Sequence, residues 1–396
     1  MNAGTMRAAR TKGAVLLTGA TGFIGTLAAA VLLERERRQV VALVRKGRQV
    51  ADLAARIRPE LAADGRLVNE AEVFGRLSAV AMPPADQLVS LAPELRRLGV
   101  TEIVHCAGCM SYFDTVELEQ TNILLTDRML ELALALGVER FVYISTAYSS
   151  GYVEGPVAEK LHDEPQKDPT AYARTKRAAE RHIADSGVPY LIIRPSVVIG
   201  DSRTGRYSGK DNGLYQYWHG WERLLLDHYR PETHMVAPRL PVNFVHQDAF
   251  QNAFQAAYRH LETGAFFNLT SDSSKTPTVR ALCEMWLAPI GRPERCYYYD
   301  HLTEVPLDRI PPRQRAFMLL AAVNIGISEH PWYFENGNMT RLRRNGLDFA
   351  DATRETMYLC QARYMSASPR LRAAMERGPG ALSSAKGAQV AAQREA

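Results

Sequence analysis

The amino-acid sequence predicts an α/β protein, with a doubly wound parallel sheet and a smaller lobe toward the C-terminus. Apolar runs alternate with stretches of helical periodicity in the first half of the chain, a glycine-rich stretch joins the first run to the first helix, and this rhythm breaks after Gly200. Strands that alternate with helices are typical of parallel sheets that are covered on both faces. We therefore expect a Rossmann-like domain.

The strands are predicted from continuous apolar runs, because strands that are buried on both faces carry few polar residues. These runs are AVLLTG (14–19), VVALVR (40–45), TEIVHCAG (101–108), RFVYISTA (140–147) and PYLIIRPSVVIG (189–200). The helices between them are predicted over 23–35, 117–137 and 171–187. Short apolar runs at 242–247 and 266–270, with a helix over 248–262, predict that the chain then returns to the sheet.

Composition along the chain predicts how it divides into segments. Beyond Tyr364 the chain has no aromatic residue and is rich in Ala, Gly, Ser and Arg, so it cannot bury enough apolar surface to fold. The predicted segments are a flexible N-terminus (1–12), the Rossmann-like domain (13–270) with an insertion (205–240), a smaller lobe (275–365) and a disordered tail (366–396).

Whole-chain composition excludes several classes of protein. With 46% hydrophobic and 23% charged residues among 396, the chain is globular. Its net charge of +5 is spread along the length, which argues against nucleic-acid binding. Cys106 and Cys109 form a lone C-x-x-C, so we expect neither a disulfide framework nor a metal site. We find no signal peptide and no apolar run that could span a bilayer, and we expect a cytoplasmic protein.

The stretch TGATGFIG (18–25) predicts a dinucleotide-binding loop. It follows a buried strand and opens a helix, with glycines at every third position. Small residues let the backbone approach a pyrophosphate, and a helix N-terminus favours its negative charge. The candidate cofactor contacts in this loop are Gly19, Thr21, Gly22, Phe23, Ile24 and Gly25.

The end of the second strand predicts which dinucleotide is bound. Dinucleotide-binding folds place a side chain about 20 residues beyond the glycine loop against the adenine ribose. Here that position holds Arg45, followed by Lys46. An acidic residue would accept the 2′-hydroxyl of NAD, whereas an arginine suits a 2′-phosphate, and we therefore expect NADP. A solvated strand end is the simpler alternative.

The stretch AYARTK predicts a catalytic pair, since Tyr172 and Lys176 lie four residues apart on one helix and share a face. A nearby ammonium lowers the pKa of a tyrosine from its usual value of about 10, so that the phenol can exchange a proton near neutral pH. The preceding strand ends in ISTAYSSG, where Thr146, or else Ser145, would hydrogen-bond a substrate carbonyl oxygen. Lys176 would also reach the nicotinamide ribose.

The glycine loop, the strand-end hydroxyl and the Tyr-x-x-x-Lys pair, in this order, resemble the extended short-chain dehydrogenase/reductase family over residues 13–270. The resemblance implies that Thr146 is the catalytic hydroxyl, Tyr172 the acid/base and Lys176 the lysine that binds the cofactor and tunes the tyrosine. It also implies that the HCAG segment, which includes Ala107, lines the adenosine side of the cofactor.

Within this family, the sequence is similar to thioester-reducing members, namely fatty acyl-CoA reductases and the terminal reductase domains of carboxylic acid reductases. ISTAY, RPSVVIGDSRTGR (194–206) and WYFENGNMTRL (332–342) carry this similarity. It implies that NADPH reduces an acyl thioester, bound to coenzyme A or to an acyl carrier protein, to an aldehyde or an alcohol. Reduction or oxidation of another hydrophobic ketone or alcohol, sterol-like or flavonoid-like, and a non-catalytic NADP-binding regulator are the alternatives.

Two apolar stretches predict a hydrophobic substrate surface. One is the aromatic and leucine-rich segment at 214–229, which makes a sugar nucleotide a less suitable substrate, and the other is FMLLAAVNIGI at 317–327. The simpler interpretation of the first is core packing or a subunit contact in a homo-oligomer. The simpler interpretation of the second is an ordinary core helix.

Overall fold

The computed structural model of the protein describes residues 13–62, 68–110, 114–210 and 212–377. The predicted flexible N-terminus and residues 378–396 of the predicted tail lie outside the described residues. The chain divides into two units, and each is described by itself. No helix in the described part of the chain combines the length and the apolar character needed to cross a bilayer.

The division differs from the one that composition predicts. Among the described residues, the first unit holds the chain from 13 to 195 together with 250–269 and 334–349, and the second holds 196–249, 270–333 and 350–377. This division differs from the predicted boundaries at 270 and 275 in two respects, because 196–249 belongs to the second unit and 334–349 to the first. The chain passes from one unit to the other five times, after residues 195, 249, 269, 333 and 349.

The strands of the described residues have the following bounds. They are β1 (Ala14–Thr18), β2 (Val40–Val44), β3 (Leu77–Ala81), β4 (Val100–His105), β5 (Arg140–Ile144), β6 (Tyr190–Pro195), β7 (Val197–Ile199), β8 (Glu232–Val236), β9 (Phe244–His246), β10 (Ala265–Leu269) and β11 (Arg295–Tyr299). β1, β2 and β5 are buried along their whole length, as their uninterrupted apolar sequences predict.

The helices have the following bounds. They are α1 (Phe23–Ala30), α2 (Val50–Ala62), α3 (Glu70–Phe74), α4 (Ala92–Arg97), α5 (Thr115–Leu118), α6 (Leu125–Leu136), α7 (Ala171–Asp185), α8 (Leu214–Leu225), α9 (Gln247–His260), α10 (Val279–Ile290), α11 (Pro312–Leu320), α12 (Ala322–Ser328), α13 (Gly337–Arg344), α14 (Arg354–Ala367) and α15 (Pro369–Glu376). The predicted helix over 117–137 is interrupted by a π-helical turn, Glu119–Leu124, between α5 and α6.

Seven parallel strands form one sheet in the first unit, in the order β10-β6-β5-β4-β1-β2-β3. The chain winds outward from β1 in both directions, so the carboxyl ends of β1 and β4 flank the point where the strand order reverses. Open α/β sheets bind ligands at this point. The predicted fold class, a doubly wound parallel sheet, is confirmed.

Two of the predicted runs, 189–200 and 242–247, do not lie wholly in the large sheet. The run over 189–200 breaks at Ser196 into β6, which stays in the large sheet, and β7, which pairs with β9 in a two-stranded sheet of the second unit. β10 does return to the large sheet, where it pairs with β6. β3 has no counterpart in the predicted set, because its sequence, LSAVA, is short and only partly buried.

The aromatic stretch at 214–229 builds the core of the second unit. Tyr215, Trp218 and Trp221 on α8 are buried, and Trp218 stacks on Trp286 with ring centroids 5.3 Å apart. Aromatic side chains bury large apolar areas, so this cluster gives the second unit a core of its own. For this stretch the core interpretation is therefore the correct one.

Residues 317–327 form α11 and α12 and have a mixed character. Phe317 and Met318 are buried in the second unit, and the ring of Phe317 contacts that of Tyr217 at 5.0 Å. Leu319 and Leu320 are instead 62% and 55% exposed. One face of α11 thus belongs to the core, while the other presents leucine to solvent.

The prediction that the whole tail is disordered is wrong for residues 366–377. Ser368 caps α15, because its Oγ accepts a hydrogen bond from Leu371 N at 3.2 Å, and a proline occupies the first position of the helix. Leu371 is fully buried and belongs to the core of the second unit. One apolar anchor and a good cap are enough to order this helix in spite of its Ala- and Arg-rich composition.

Candidate active site

The glycine loop after β1 has a conformation that only glycine allows. Gly19 has φ +70°, and a Cβ there would lie 2.7 Å from Ala107 N and from the carbonyl carbon of Cys106. A Cβ on Gly25 would lie 2.1 Å from the Gly19 carbonyl oxygen. Gly22 N closes the turn by donating to that same oxygen at 2.8 Å. Helix α1 therefore starts close against the end of β1.

The N-terminus of α1 presents backbone donors beside this loop. Gly22 is its N-cap and provides no side chain to accept from the first N–H groups. Thr21, Phe23 and Ile24 lie around it, all at least partly open to solvent. Unsatisfied N–H groups and the helix dipole make such a terminus a site for an anion, so the loop fits the pyrophosphate of a dinucleotide.

A chain of hydrogen bonds fixes the end of β4 against the loop. Ala107 N donates to Thr18 Oγ1 at 3.1 Å, and Thr18 Oγ1 lies 2.7 Å from Nδ1 of the buried His105. On the other side, His105 Nε2 lies 3.2 Å from Thr126 Oγ1, which itself donates to the Asn122 carbonyl oxygen. The hydroxyl of Thr18 thus donates to Nδ1, and the imidazole carries its proton on Nε2.

The imidazole of His105 is neutral. Burial, with the nearby Lys176 ammonium as a second cause, lowers its pKa to about 3. Burial likewise raises the pKa of the Cys106 thiol to about 12, so it stays protonated near neutral pH. Among the residues with described positions, no group of three or more His, Cys, Asp or Glu side chains could hold a metal ion.

Arg45 lies where β2 ends. The residue is exposed, as are Lys46 and Arg48, and Arg48 N donates to its carbonyl oxygen at 3.1 Å in a turn. β2 pairs with β1 in parallel, so their carboxyl ends lie at the same edge of the sheet. Three cations therefore follow β2 at the edge that also carries the glycine loop.

Lys176 is buried at the end of β5. Its Nζ donates to the Ile144 carbonyl oxygen at 2.8 Å and to Tyr143 Oη at 3.1 Å. Burial lowers the pKa of this ammonium to about 8, although Cys106 and Glu180 oppose the shift. A Cβ added to Gly108 would lie 3.4 Å from the Nζ, so glycine at this position keeps the space beside the ammonium open.

Tyr172 lies one helical turn before Lys176 on α7. The helix begins after Thr170, whose hydroxyl accepts from Ala173 N at 3.0 Å, and the tyrosine ring is half-buried. Burial raises the pKa of the neighbouring Tyr143 well above its usual value, and Tyr172 adds to this shift. Tyr143 therefore stays a phenol, and Tyr172 is the tyrosine of this pair that is open to solvent.

The two hydroxyls at the end of β5, those of Ser145 and Thr146, have different hydrogen-bond partners. Ser145 Oγ donates to a Glu180 carboxylate oxygen at 2.5 Å and is buried. Thr146 is the N-cap of the 3₁₀ helix Ala147–Ser150, and its Oγ1 accepts from Tyr148 N at 3.4 Å. Since the Thr146 oxygen is an acceptor in that bond, its own proton remains to be donated.

Sequence reasoning missed Asn122, Tyr143 and Glu180, and it included His105 only as part of the HCAG segment. Asn122 lies in the π-helical turn, accepts from Cys109 N at 2.9 Å and donates to Thr175 Oγ1 at 3.0 Å. Its signal was available, because a lone asparagine in an apolar helical stretch needs partners when it is buried. Glu180 gave a similar signal as an acid on the inner face of α7, four residues after the lysine.

A seven-stranded sheet of this order, with a Tyr-x-x-x-Lys helix after β5, is the arrangement of the extended short-chain dehydrogenase/reductases, which are oxidoreductases that use a nicotinamide dinucleotide. The model of the family described as male sterility protein matches residues 17–249, more than half of the chain, and the chain belongs to this family. The predicted family is confirmed.

The curated relatives include peptide synthetases and a sugar-nucleotide epimerase. A linear gramicidin synthase of Brevibacillus parabrevis is 28% identical over 204 residues, which are 48% of this chain and 4% of the relative. UDP-glucose 4-epimerase of Vibrio cholerae is 29% identical over 199 residues, 47% of this chain and 52% of the relative. The chain thus spans only a small part of the synthase and about half the length of the epimerase.

Solved structures share the fold. The terminal R domain of the myxalamid pathway has a TM-score of 0.69 at 19% identity, with 91% of this chain and 92% of that chain covered. A thiolation-reductase di-domain from an archaeal non-ribosomal peptide synthetase has a TM-score of 0.66 at 17% identity, with 90% and 76% covered. UDP-glucuronic acid 4-epimerase of Bacillus cereus follows at 0.58 and 16% identity, with 89% and 99% covered.

Proposed function

We propose that the protein reduces an acyl thioester, bound to coenzyme A or to an acyl carrier protein, with NADPH as the hydride donor, to an aldehyde or an alcohol. The observation that carries this proposal is the buried Lys176 ammonium, which is anchored to the end of β5 one helical turn from Tyr172. The family and the similarity to reductase domains of peptide synthetases support the choice of a thioester.

The edge of the sheet that carries the glycine loop fits this cofactor. The glycines after β1 and the uncapped N-terminus of α1 suit the pyrophosphate, and the cations after β2 suit a 2′-phosphate. The proposed NADP contacts are Gly19, Thr21, Gly22, Phe23, Ile24, Gly25, Arg45 and Ala107, with Tyr172 and Lys176 toward the nicotinamide ribose. An ammonium has three N–H donors, and the bonds of Lys176 to Ile144 and Tyr143 use two of them.

The proposed chemistry needs a proton donor and a stabilised oxyanion. When bound, NADPH supplies the hydride that adds to the thioester carbonyl carbon. Thr146 donates a hydrogen bond to the developing oxyanion, and Tyr172 gives it the phenolic proton. The resulting hemithioacetal returns that proton to Tyr172 as its carbon–sulfur bond breaks, so that the products are an aldehyde and, after protonation, a thiol. Lys176 favours the phenolate during this exchange.

The second unit and a carrier complete the proposal. The exposed leucines of α11 give the second unit an apolar surface of its own. One of the similar structures joins a thiolation domain to its reductase domain, which supports a substrate that arrives on a carrier protein. We therefore expect a carrier-bound thioester to be reduced at least as well as the same acyl group on coenzyme A.

NADPH oxidation by the purified protein tests the proposal. Its substrates would be acyl-CoAs, the same acyl groups on a carrier protein, free aldehydes, a ketosteroid and UDP-glucose, with Tyr172→Phe as the inactive control. We expect thioesters to be consumed with one or two NADPH per acyl group, and this ratio separates an aldehyde product from an alcohol. If the protein oxidised NADPH only when the ketosteroid was the substrate, the result would instead support the hydrophobic ketone alternative.

The epimerase relatives define the main competing substrate. They share the fold and part of the sequence, and the solved ones were obtained with NAD. Epimerisation leaves no net change in the nucleotide, so it would be seen as UDP-galactose formed from UDP-glucose without any NADPH consumption. That result, in the absence of thioester reduction, would contradict the proposal.

A further inference from the structure

A buried ion pair lies directly behind the candidate catalytic residues. The Glu180 carboxylate accepts from Arg194 Nε at 2.9 Å and from Arg194 Nη2 at 2.6 Å, and both side chains are fully buried. The same carboxylate also accepts from two hydroxyls, Ser145 Oγ at 2.5 Å and Ser149 Oγ at 2.9 Å. Four donors therefore converge on one carboxylate in the interior of the first unit.

The two serines are the ends of the segment that carries Thr146. Ser145 directly precedes it, and Ser149 lies three residues beyond it in the 3₁₀ helix that Thr146 caps. The Ser149 carbonyl oxygen is held as well, since Arg177 Nη1 donates to it at 3.2 Å. Glu180 and Arg177 thus fix both ends of one short segment to one helix.

That helix is α7, which also carries the other two candidate residues. Glu180 follows Lys176 by four positions and Tyr172 by eight, so the three side chains lie along one face. Any displacement of the segment at 145–149 relative to Tyr172 would have to break or stretch bonds to Glu180. Arg194 extends the anchor to β6 and to the loop before α7, where it donates to the Lys160 carbonyl oxygen at 2.9 Å.

We propose that Glu180 is a positioning residue that holds Thr146 in place against Tyr172 through its bonds to Ser145 and Ser149. This inference rests on the proposed function, because it presumes that Thr146 and Tyr172 act on the same substrate oxygen. Arg194 serves as the ion-pair partner of the Glu180 carboxylate in the interior. Ser145, the other candidate hydroxyl, thereby acts through Glu180 and not on the substrate.

The test uses Ser149→Ala, because this change removes one bond to Glu180 and leaves the buried ion pair intact. Geometry errors of about 1 Å can lower turnover up to about a hundredfold, so we expect kcat to fall about tenfold or more. The KM for the thioester and the Kd for NADPH should stay within about twofold, because the proposal gives Ser149 no contact with either. Ser186→Ala is the matched control, because that hydroxyl bonds to the Ile183 carbonyl oxygen at the far end of the same helix.

A second measurement does not depend on turnover. Amide hydrogen exchange of the cofactor-free protein reports the segment directly, because Ser149 N donates to the Thr146 carbonyl oxygen and Gly151 N to that of Tyr148. We expect Ser149→Ala and Ser145→Ala to accelerate exchange over 146–151 and to leave the glycine loop unchanged. Ser186→Ala should accelerate neither region.

Glu180→Gln adds a further test, provided that this variant folds. It removes the acidic neighbour of Lys176 as well as bonds to the segment, so kcat should fall and the alkaline limb of the pH profile should move to lower pH. This change leaves the charge of Arg194 buried and uncompensated, so it can prevent folding. In that case the proposal is tested by Ser149→Ala and Ser145→Ala alone. Unchanged kcat and unchanged exchange in both serine variants would overturn the positioning role. If the parent protein reduced no thioester, the proposed function would fail instead, and accelerated exchange would still support the anchor.

Discussion

Lys176 Nζ and the Ile144 carbonyl oxygen are joined by a hydrogen bond of 2.8 Å, and this bond ties the middle of α7 to the last residue of β5. The ammonium is buried at that point, and no carboxylate forms an ion pair with it among the described residues. Burial without a direct counter-charge explains why the pKa of Lys176 falls to about 8, while a lysine in water has a pKa of about 10. The pKa of this side chain therefore lies close to neutral pH, so that small changes in pH alter its charge.

The first prediction concerns pH. As pH rises through about 8, Lys176 loses its proton, so kcat/KM and NADPH affinity should both fall. Stability should move the other way. The folded pKa lies below the unfolded value, so the unfolded chain binds more protons between about 8 and 10, and the free energy of unfolding from this group rises with pH in that window.

Parallel measurements of kcat/KM, NADPH binding and Tm from about pH 6 to about pH 10 would check the pH prediction. His105 contributes no titration in this range, because its pKa lies at about 3. An activity loss that simply followed a loss of Tm would point to general alkaline unfolding. Constant NADPH affinity across the range would mean that the Lys176 ammonium does not contact the cofactor.

The second prediction concerns Tyr172. Tyr172→Phe removes the phenolic proton and keeps the ring, and general acid catalysis typically contributes about 10²- to 10⁴-fold. We expect kcat to fall by that factor, with NADPH binding and Tm nearly unchanged. Tyr143→Phe is the comparison, because it removes a second phenol on Lys176 that stays protonated. Near-normal turnover by Tyr172→Phe would refute the assigned acid.

The third prediction separates the two hydroxyls. Thr146→Val removes a donor to the oxyanion, and loss of one such donor costs about 10²- to 10³-fold in kcat. Thr146→Ser should retain most of the activity, since it keeps the hydroxyl. Steady-state kinetics of both variants provide the check. Equal activity of Thr146→Val and the parent would transfer the role back to Ser145.

The fourth prediction concerns the cofactor. Arg45→Asp should weaken NADPH binding about tenfold to a hundredfold, because a charge-assisted bond to the 2′-phosphate is worth about 1.5–3 kcal/mol. NADH binding should be unchanged or stronger. Arg48→Asp is the matched control on the same exposed turn and should have the smaller effect. Fluorescence titration with both cofactors measures this, and equal losses for NADPH and NADH would exclude the proposed contact.

The fifth prediction concerns the acyl chain. A buried methylene is worth about 0.8 kcal/mol, so kcat/KM should rise about fourfold for each added carbon until the binding surface is filled. Leu320→Asp should flatten this rise without lowering Tm much, because the side chain is more than half exposed. Phe317→Asp, one turn earlier and buried, should instead unfold the second unit. A flat length profile in the parent protein would rule out an acyl surface on α11.

The parts of the site that depend on neighbouring residues in the sequence could be predicted. The glycine loop and the pair on α7 are set by backbone conformation and by helical spacing, which a local pattern records. The choice between Ser145 and Thr146 could not be made in this way. It depends on Glu180, which is 35 residues away along the chain and reaches Ser145 only in the folded sheet.

The same distinction explains the errors in the fold. Residues 196–249 follow β6 directly and carry strand-like runs, yet the aromatic core around Trp218 and Trp286 draws them into the second unit. The tail helix α15 was missed because composition averages over a window, whereas a single Ser–Pro start and one buried leucine order it. In both cases the decisive packing, around Trp218 or at Leu371, is against segments that are distant in sequence.

The five passages of the chain between its two units determine when each unit can be completed during synthesis. β10 and residues 334–349 belong to the first unit, and there Asn268 Nδ2 donates to the Glu335 carbonyl oxygen at 3.2 Å and Asn338 N to a Glu159 carboxylate oxygen at 2.9 Å. During translation, residue 349 leaves the ribosome only after residues 196–249 and 270–333, which are most of the second unit. The first unit, although its synthesis begins first, therefore cannot complete its fold until residues 334–349 have been made. A nascent chain that stops at residue 333 would lack this segment.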